Sequence, residues 1–326
     1  MTEAEKYQPS GGSMADQRTT NVAVAGEPCS SDREQRTSDF VRLTGDASRD
    51  VAPESTPQVW SDCSSAYEAF ATAVTEHFAV DAIRLARLGP GSAVLDVGAG
   101  TGAFTLAAAR MGTQVLGTDF SPQMIRLLQR KCRSLAYQNV QTAVMDGQNL
   151  ELDDERFDVA ASLFSLMFFP DHERGLREIH RVLRPGGQVV VATWAPPQRV
   201  ELMRLMGDAM FSAGVSPPAN DHVPHWLNLC HPARLRARLE SVGFEKVHIV
   251  TVAHVSVFEE ATELARVLPA STPSSASLLA AMTDEERERF FNALVTDFLE
   301  RQGEGPYAVS NEALIAVGSK PRTENP

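Results

Sequence analysis

The stretch most able to do chemistry is Val94-Leu95-Asp96-Val97-Gly98-Ala99-Gly100-Thr101-Gly102. Glycines between a hydrophobic run and an Ala-rich segment let the backbone approach a ligand where a Cβ would collide. A helix starting beyond them presents unpaired N–H groups. The spacing is G-x-G-x-G, not the G-x-G-x-x-G that marks dinucleotide binding. Asp119 lies 17 positions after Gly102, at the end of the next hydrophobic run. A carboxylate there accepts two hydrogen bonds from ribose hydroxyls, which suits nicotinamide dinucleotides and other adenosine cofactors alike. Asp96 discriminates between them, because an acid two residues before the first glycine repels a pyrophosphate but suits a cofactor carrying an ammonium and a sulfonium.

Other candidates are weaker. Residues 162–169, with Leu163 and Phe164, follow a buried-type strand, and ligands of parallel sheets bind beyond the strands' carboxyl ends. Among the histidines, His172 is the candidate general base, needed only if a substrate must lose a proton. His180 reads as structural. His222, His225, Cys230 and His231 match no standard zinc spacing, so no metal is expected. The same loop, with Trp226, reads as pocket lining.

The elements that must position these residues alternate. Ala66–Leu88 carries Phe70, Val74, Phe78, Ile83, Leu85 and Leu88 at helical spacing, and Gly89-Pro90-Gly91 ends that helix. Strands are expected at Ala93–Val97, Gln114–Asp119, Val140–Met145, Phe157–Phe164 and Gln188–Trp194, the last after a turn at Arg184-Pro185-Gly186-Gly187. Helices are expected at Ala103–Arg110, at Pro122 to about Arg133 with Ser121 as N-cap, and at Asp171–Leu183. Such alternation predicts an α/β fold with a mostly parallel, doubly wound sheet. Helices at Arg199–Ala213 and Pro232–Val242 predict a cap. A strand at Glu245–Phe258, a capping box at Thr283 and Glu286, and a closing strand at Ala313–Gly318 complete the chain, the two strands pairing as a hairpin-like edge.

The chain has 326 residues, and its net charge of −12 has the wrong sign for a protein whose main partner is a phosphate backbone. No apolar run approaches the length of a bilayer span. The four cysteines, Cys29, Cys63, Cys132 and Cys230, form no C-x-x-C pair, which favours a reducing compartment. Residues 1–58 are poor in large apolar side chains and read as a disordered tail without a targeting signal, leaving 59–326 as the folded domain.

Val94 to Gly102 resembles the first motif of the class I S-adenosylmethionine-dependent methyltransferases. The resemblance continues through Leu116-Gly117-Thr118-Asp119-Phe120-Ser121, Met145-Asp146-Gly147, Phe157-Asp158-Val159 and Ile179 to Gly187, spanning residues 93–194, and its flavour is that of the quinone-ring branch. It implies a Rossmann-like seven-stranded sheet with a terminal antiparallel strand and helical cap insertions at 195–242 and 259–302. It also implies a cytoplasmic enzyme that binds S-adenosylmethionine and transfers methyl directly, in line, to a small-molecule acceptor. Gly98, Gly100 and Gly102, with Ala99 among them, would face methionine and ribose, and Asp96 would approach the methionine amino group. Asp119 would hold the ribose, Phe120 would pack on adenine, Asp146 would accept from the adenine amino group, and Met145 and Gly147 would offer backbone beside it. Leu163 and Phe164 would border the transfer site, and Trp60 and Tyr67 resemble aromatics that fold over the cofactor. A binding-only regulatory protein and a nicotinamide-dependent oxidoreductase remain as alternatives.

Overall fold

A computed structural model describes residues 35–38, 53–215 and 225–322. A seven-stranded sheet runs in the order β3-β2-β1-β4-β5-β7-β6. Its strands are β1 Ala93–Val97, β2 Gln114–Asp119, β3 Val140–Val144, β4 Phe157–Leu163, β5 Leu183–Trp194, β6 Glu245–Phe258 and β7 Tyr307–Ser319. The first five pair in parallel, and β7 enters antiparallel between β5 and β6. The anticipated edge pair is present, with β6 outermost.

Helices α1 Pro57–Ala86, α2 Ala103–Arg110, α3 Pro122–Ser134 and α4 His172–Val182 belong to the sheet layer. Ser121 caps α3 through its side chain, which accepts from the Met124 N–H at 3.3 Å, and Pro122 takes the first helical position, where a missing N–H costs nothing. Strand β1 is covered on both faces, Val94, Leu95 and Val97 being fully buried. That explains its unbroken apolar run.

The remaining helices, α5 Glu201–Ser212, α6 Pro232–Ser241, α7 Ala261–Val267, α8 Pro273–Ala281 and α9 Asp284–Gln302, lie outside the βα repeats. A second apolar core joins α5, α7 and α9 through Leu205, Met210, Leu264, Phe290, Leu294 and Phe298, and it includes Tyr307 and Val309 of β7. The Thr283–Glu286 capping box opens α9 as its sequence predicts.

Some boundaries move. Helix α1 begins at Pro57, nine positions before Ala66, because Gln58 and Asp62 of its first turns face solvent while Trp60, Cys63 and Ser64 are buried. The turn expected at Arg184–Gly187 is strand instead: the Gly186 N–H donates to the Lys320 carbonyl at 2.9 Å and the Lys320 N–H to the Gly187 carbonyl at 2.8 Å. A partner strand, which local residue types do not reveal, captures the glycines. Parts of the segment read as a disordered tail are also built into the fold. Residues 53–56 lead into α1, which takes in residues 57 and 58, and residues 35–38 form one helical turn with Thr37 1% exposed. The rest of residues 1–52 lies outside the described residues, as do 216–224.

Candidate active site

The β1–α2 turn carries Gly98 at φ 72° and Gly102 at φ 102°, a left-handed conformation that side chains resist. At Gly98 a Cβ would also lie 2.4 Å from the Ser165 Cβ, so the glycine lets the turn sit against the loop after β4. Ser165 holds that loop in place, its hydroxyl donating to the Val97 carbonyl at 2.8 Å. Gly147 plays a similar part on the opposite wall, where a Cβ would lie 2.4 Å from the Phe169 ring.

Asp119 ends β2 with both carboxylate oxygens held by backbone. Oδ2 accepts from the Gly100 N–H and Oδ1 from the Ser121 N–H, each at 2.9 Å. Each oxygen keeps acceptor capacity for a further donor. Burial pushes its carboxyl up to about 6, against the two backbone donors that pull it down. Asp96, 1% exposed in β1, accepts from the Thr105 hydroxyl at 2.6 Å, and burial raises its carboxyl to about 7. A cation placed near these two groups would favour their ionised forms.

Gly98, Gly100, Asp119, Phe120, Met145, Asp146, Gly147, Leu163 and Phe164 line one cavity together, with Glu54, Ser55, Trp60, Tyr67, Met124, Gln148, Ser165 and Phe168 completing its wall. Asp146 is exposed and accepts from the Gln148 N–H at 2.9 Å. Asp96 and Ala99 face an adjoining smaller recess that includes Tyr67, Thr75 and Thr101. The Ala99 N–H is already committed to the Thr118 carbonyl at 2.8 Å. Gly102 lines none of these spaces; it opens α2 against Leu128.

A second cavity adjoins the first and shares Trp60, Tyr67, Phe164 and Phe168 with it. Its other walls come from β5 (Trp194), α5 (Leu202, Met203, Met206), the 225–229 turn (Trp226) and the residues around α8 (Leu268, Ser271, Thr272, Ser274, Ser275), and none of its lining residues is charged or a histidine. Phe164, at the seam, holds a left-handed backbone at φ 56°, and its ring packs 4.3 Å from that of Trp194. Non-glycine residues in this conformation are costly and concentrate at ligand sites.

His172 is not brought to either cavity. It is 4% exposed, its Nε2 bonds to the Met167 carbonyl at 3.1 Å, and its ring stacks 4.1 Å from that of His225. Burial, with His225 beside it, pulls its pKa down to about 4, which favours the neutral imidazole packed in the core. The reason lies in packing: α4 turns this first residue into the core, while the loop before it supplies the cavity wall. His225 bonds to the Phe169 carbonyl at 2.9 Å. Among the described residues no three His, Cys, Asp or Glu side chains gather as a metal group, and His222 lies outside them.

Glu54 and the α8 hydroxyls were beyond sequence reasoning. Glu54 sits in a stretch with the composition of a tail, and the hydroxyls lie about 170 positions after the glycine motif.

Residues 95–191 match the family described as a methyltransferase domain. An uncharacterized protein of Mycobacterium tuberculosis is 40% identical over 114 residues, covering 34% of this chain and 40% of that protein. A demethylmenaquinone methyltransferase of Tropheryma whipplei is 36% identical over 123 residues, covering 38% of this chain and 50% of the enzyme. The chain thus spans about half or less of the curated relatives it matches. The solved structure of a protein from Anabaena variabilis, named as a methyltransferase from an antibiotic biosynthesis pathway, superposes with a TM-score of 0.51 at 19% identity, covering 74% of this chain and 96% of that one. This likeness establishes the fold, an α/β methyltransferase-type sheet whose last strand is antiparallel.

Proposed function

We propose that the chain is an S-adenosylmethionine-dependent methyltransferase that acts on a small, uncharged and largely apolar acceptor. The observation that carries this reading is the pair of joined cavities, one with a glycine turn and buried carboxylates, the other apolar and free of charged lining residues. The residues fit such a cofactor. Asp119 offers two backbone-oriented oxygens for ribose hydroxyls, Phe120, Met145 and Gly147 line the same cavity with Asp146 where adenine would lie, and Asp96 lines the adjoining recess where an ammonium would sit. When bound, S-adenosylmethionine supplies a methyl group already activated by a sulfonium. The chain's own task is to align an acceptor and exclude water, and proximity of this kind accounts for much of such a rate. Trp60, Tyr67, Phe164 and Phe168 serve that task at the seam, where they line both cavities around the place the two occupants would meet.

Support for the acceptor's character is electrostatic. A charged acceptor would lose hydration in the second cavity and gain no counter-charge from its lining. A nucleic acid is disfavoured on the same ground, and relatives that act on quinones make a ring-bearing acceptor reasonable. Among the described residues no helix is long and apolar enough to cross a membrane, and Cys63, Cys132 and Cys230 are free and buried, which suits a cytoplasmic setting.

Calorimetric titration with S-adenosylhomocysteine, followed by incubation with S-adenosylmethionine and a metabolite extract, tests the reading. Binding with mass-spectrometric appearance of S-adenosylhomocysteine and a product heavier by one methylene is the expected result. Binding without turnover would favour a regulatory protein, and turnover with a nicotinamide dinucleotide in its place would favour an oxidoreductase.

A further inference from the structure

Glu54 occupies the single turn Pro53–Ser55 ahead of α1 and is 4% exposed. Its backbone carbonyl accepts from the Trp60 Nε1–H at 2.9 Å, which ties the turn to a residue of the seam. Its carboxylate accepts a backbone hydrogen bond from Ser274 at the start of α8. Glu54 lines the cofactor-side cavity, whereas Ser274 lines the acceptor-side cavity, so this contact closes the wall where the two meet. Yet the carboxylate oxygen Oε1 is buried and has no partner among the described residues. Native proteins satisfy nearly all such atoms, because an orphaned acceptor forfeits its hydration. Two further groups with no partner among the described residues, the Trp226 Nε1–H and the Ser274 hydroxyl, belong to residues of the acceptor cavity. Two of these three orphaned atoms therefore belong to lining residues of the acceptor cavity, and the third to the residue that meets Ser274 where the cavities join.

We propose that Glu54, where the two cavities meet, is a specificity-determining residue for the acceptor, its carboxylate accepting a hydrogen bond from an O–H or N–H of an otherwise apolar acceptor that reaches the seam. This rests on the methyltransferase reading above and narrows its substrate class to molecules with such a donor on the edge that meets the seam. Two features favour Glu54 over other groups. No carboxylate lines the acceptor cavity, and of those lining the cofactor-side cavity Asp119 is held by two backbone N–H groups and Asp146 by Gln148, whereas Glu54 is tied to Ser274, a residue of the acceptor cavity. The segment 271–275 that packs over Glu54 presents hydroxyls and no charge. Burial pushes the Glu54 carboxyl up to about 7, and Cys63 on α1 is the titratable neighbour that feels its charge. The group is an available acceptor at pH values above that.

The test uses full-length protein saturated with S-adenosylhomocysteine at about pH 8, titrated calorimetrically with 2-naphthol and with its methyl ether, which fills similar space without the donor. Wild-type protein should prefer the naphthol at least about fivefold, the worth of one buried hydrogen bond to a charged acceptor. Glu54→Leu should erase that preference by weakening the naphthol alone, and Glu54→Gln, whose carbonyl still accepts, should keep most of it. A third ligand, 2-naphthylmethylamine, which is an ammonium at this pH, should bind more weakly than the naphthol, and tighter binding would overturn an uncharged donor as the partner of Glu54. No preference in the wild type, an equal preference in Glu54→Leu, or binding of none of the naphthalenes would overturn the proposal. Failure to bind S-adenosylhomocysteine would instead overturn the methyltransferase reading itself.

Discussion

The two cavities differ in how their walls are recruited. The cofactor-side wall comes mainly from consecutive strand ends, residues 98–100 after β1, 119–120 after β2, 145–148 after β3 and 163–165 after β4. Its polar contacts are short-range in the fold: Asp119 is held by Gly100 and Ser121, and Gly98 abuts Ser165. The acceptor-side wall draws small groups of residues from α1, β5, α5, the 225–229 turn and α8, which approach one another only after the cap has packed. One wall is a property of the sheet, and the other a property of the whole tertiary structure. Changes to the first should therefore act on cofactor affinity, and changes to the second on acceptor use, with little leakage between them.

The largest effect should follow Asp119→Ala. It removes the proposed acceptor for ribose and releases the Gly100 and Ser121 N–H groups, so S-adenosylhomocysteine affinity should fall at least about tenfold by calorimetry. An unchanged affinity would break the comparison at its root. Met206→Trp approaches the other wall. The residue is 2% exposed, and a larger ring there fills the acceptor space, so turnover should fall about tenfold while S-adenosylhomocysteine binding stays within about twofold.

A subtler probe is pH. The Asp96 carboxyl stands near 7 in the folded chain against an ordinary value of 3.8, so between those limits the folded state holds a proton that the unfolded state has released. Its contribution to stability is then fully present below about 4 and is lost as pH rises through about 7. His172 acts in the opposite sense: its folded value near 4 lies below 6.5, so its contribution is lost as pH falls through that window. Ligand-free Asp96→Asn should lose less melting temperature than wild type between about pH 5.5 and 7.5, and identical slopes would count against a protonated buried Asp96. The smallest change is expected for His172→Gln, which should cost about 1–3 kcal/mol in chemical denaturation through the lost contact with the Met167 carbonyl, yet leave turnover within about twofold. A large loss of turnover with normal stability would return His172 to the reaction.

The same contrast explains what could be read without coordinates. Strands β1 and β2 and helix α2 match their expected bounds because each is encoded within itself, by an apolar run, a glycine turn or an Ala-rich segment. Asp119 was legible because its place at a strand end is a matter of counting. His172 was misread because nearness in sequence to the β4 loop says nothing about which way the first turn of α4 faces. Glu54 was missed because its burial depends on Ser274, 220 positions away. The strand character of Arg184–Gly187 likewise depends on Lys320. Such contacts leave no periodic trace.

All three tryptophans of the chain, Trp60, Trp194 and Trp226, line the acceptor cavity, and Trp60 also borders the cofactor side. The protein therefore carries its own optical reporter, with emission that arises wholly from the walls of one chamber. A fluorescence titration needs no label here, and single Trp→Phe replacements would divide the signal by position. A quencher small enough to enter would measure how far the chamber is open to water, which makes this arrangement a practical route to screening acceptors before any product is known.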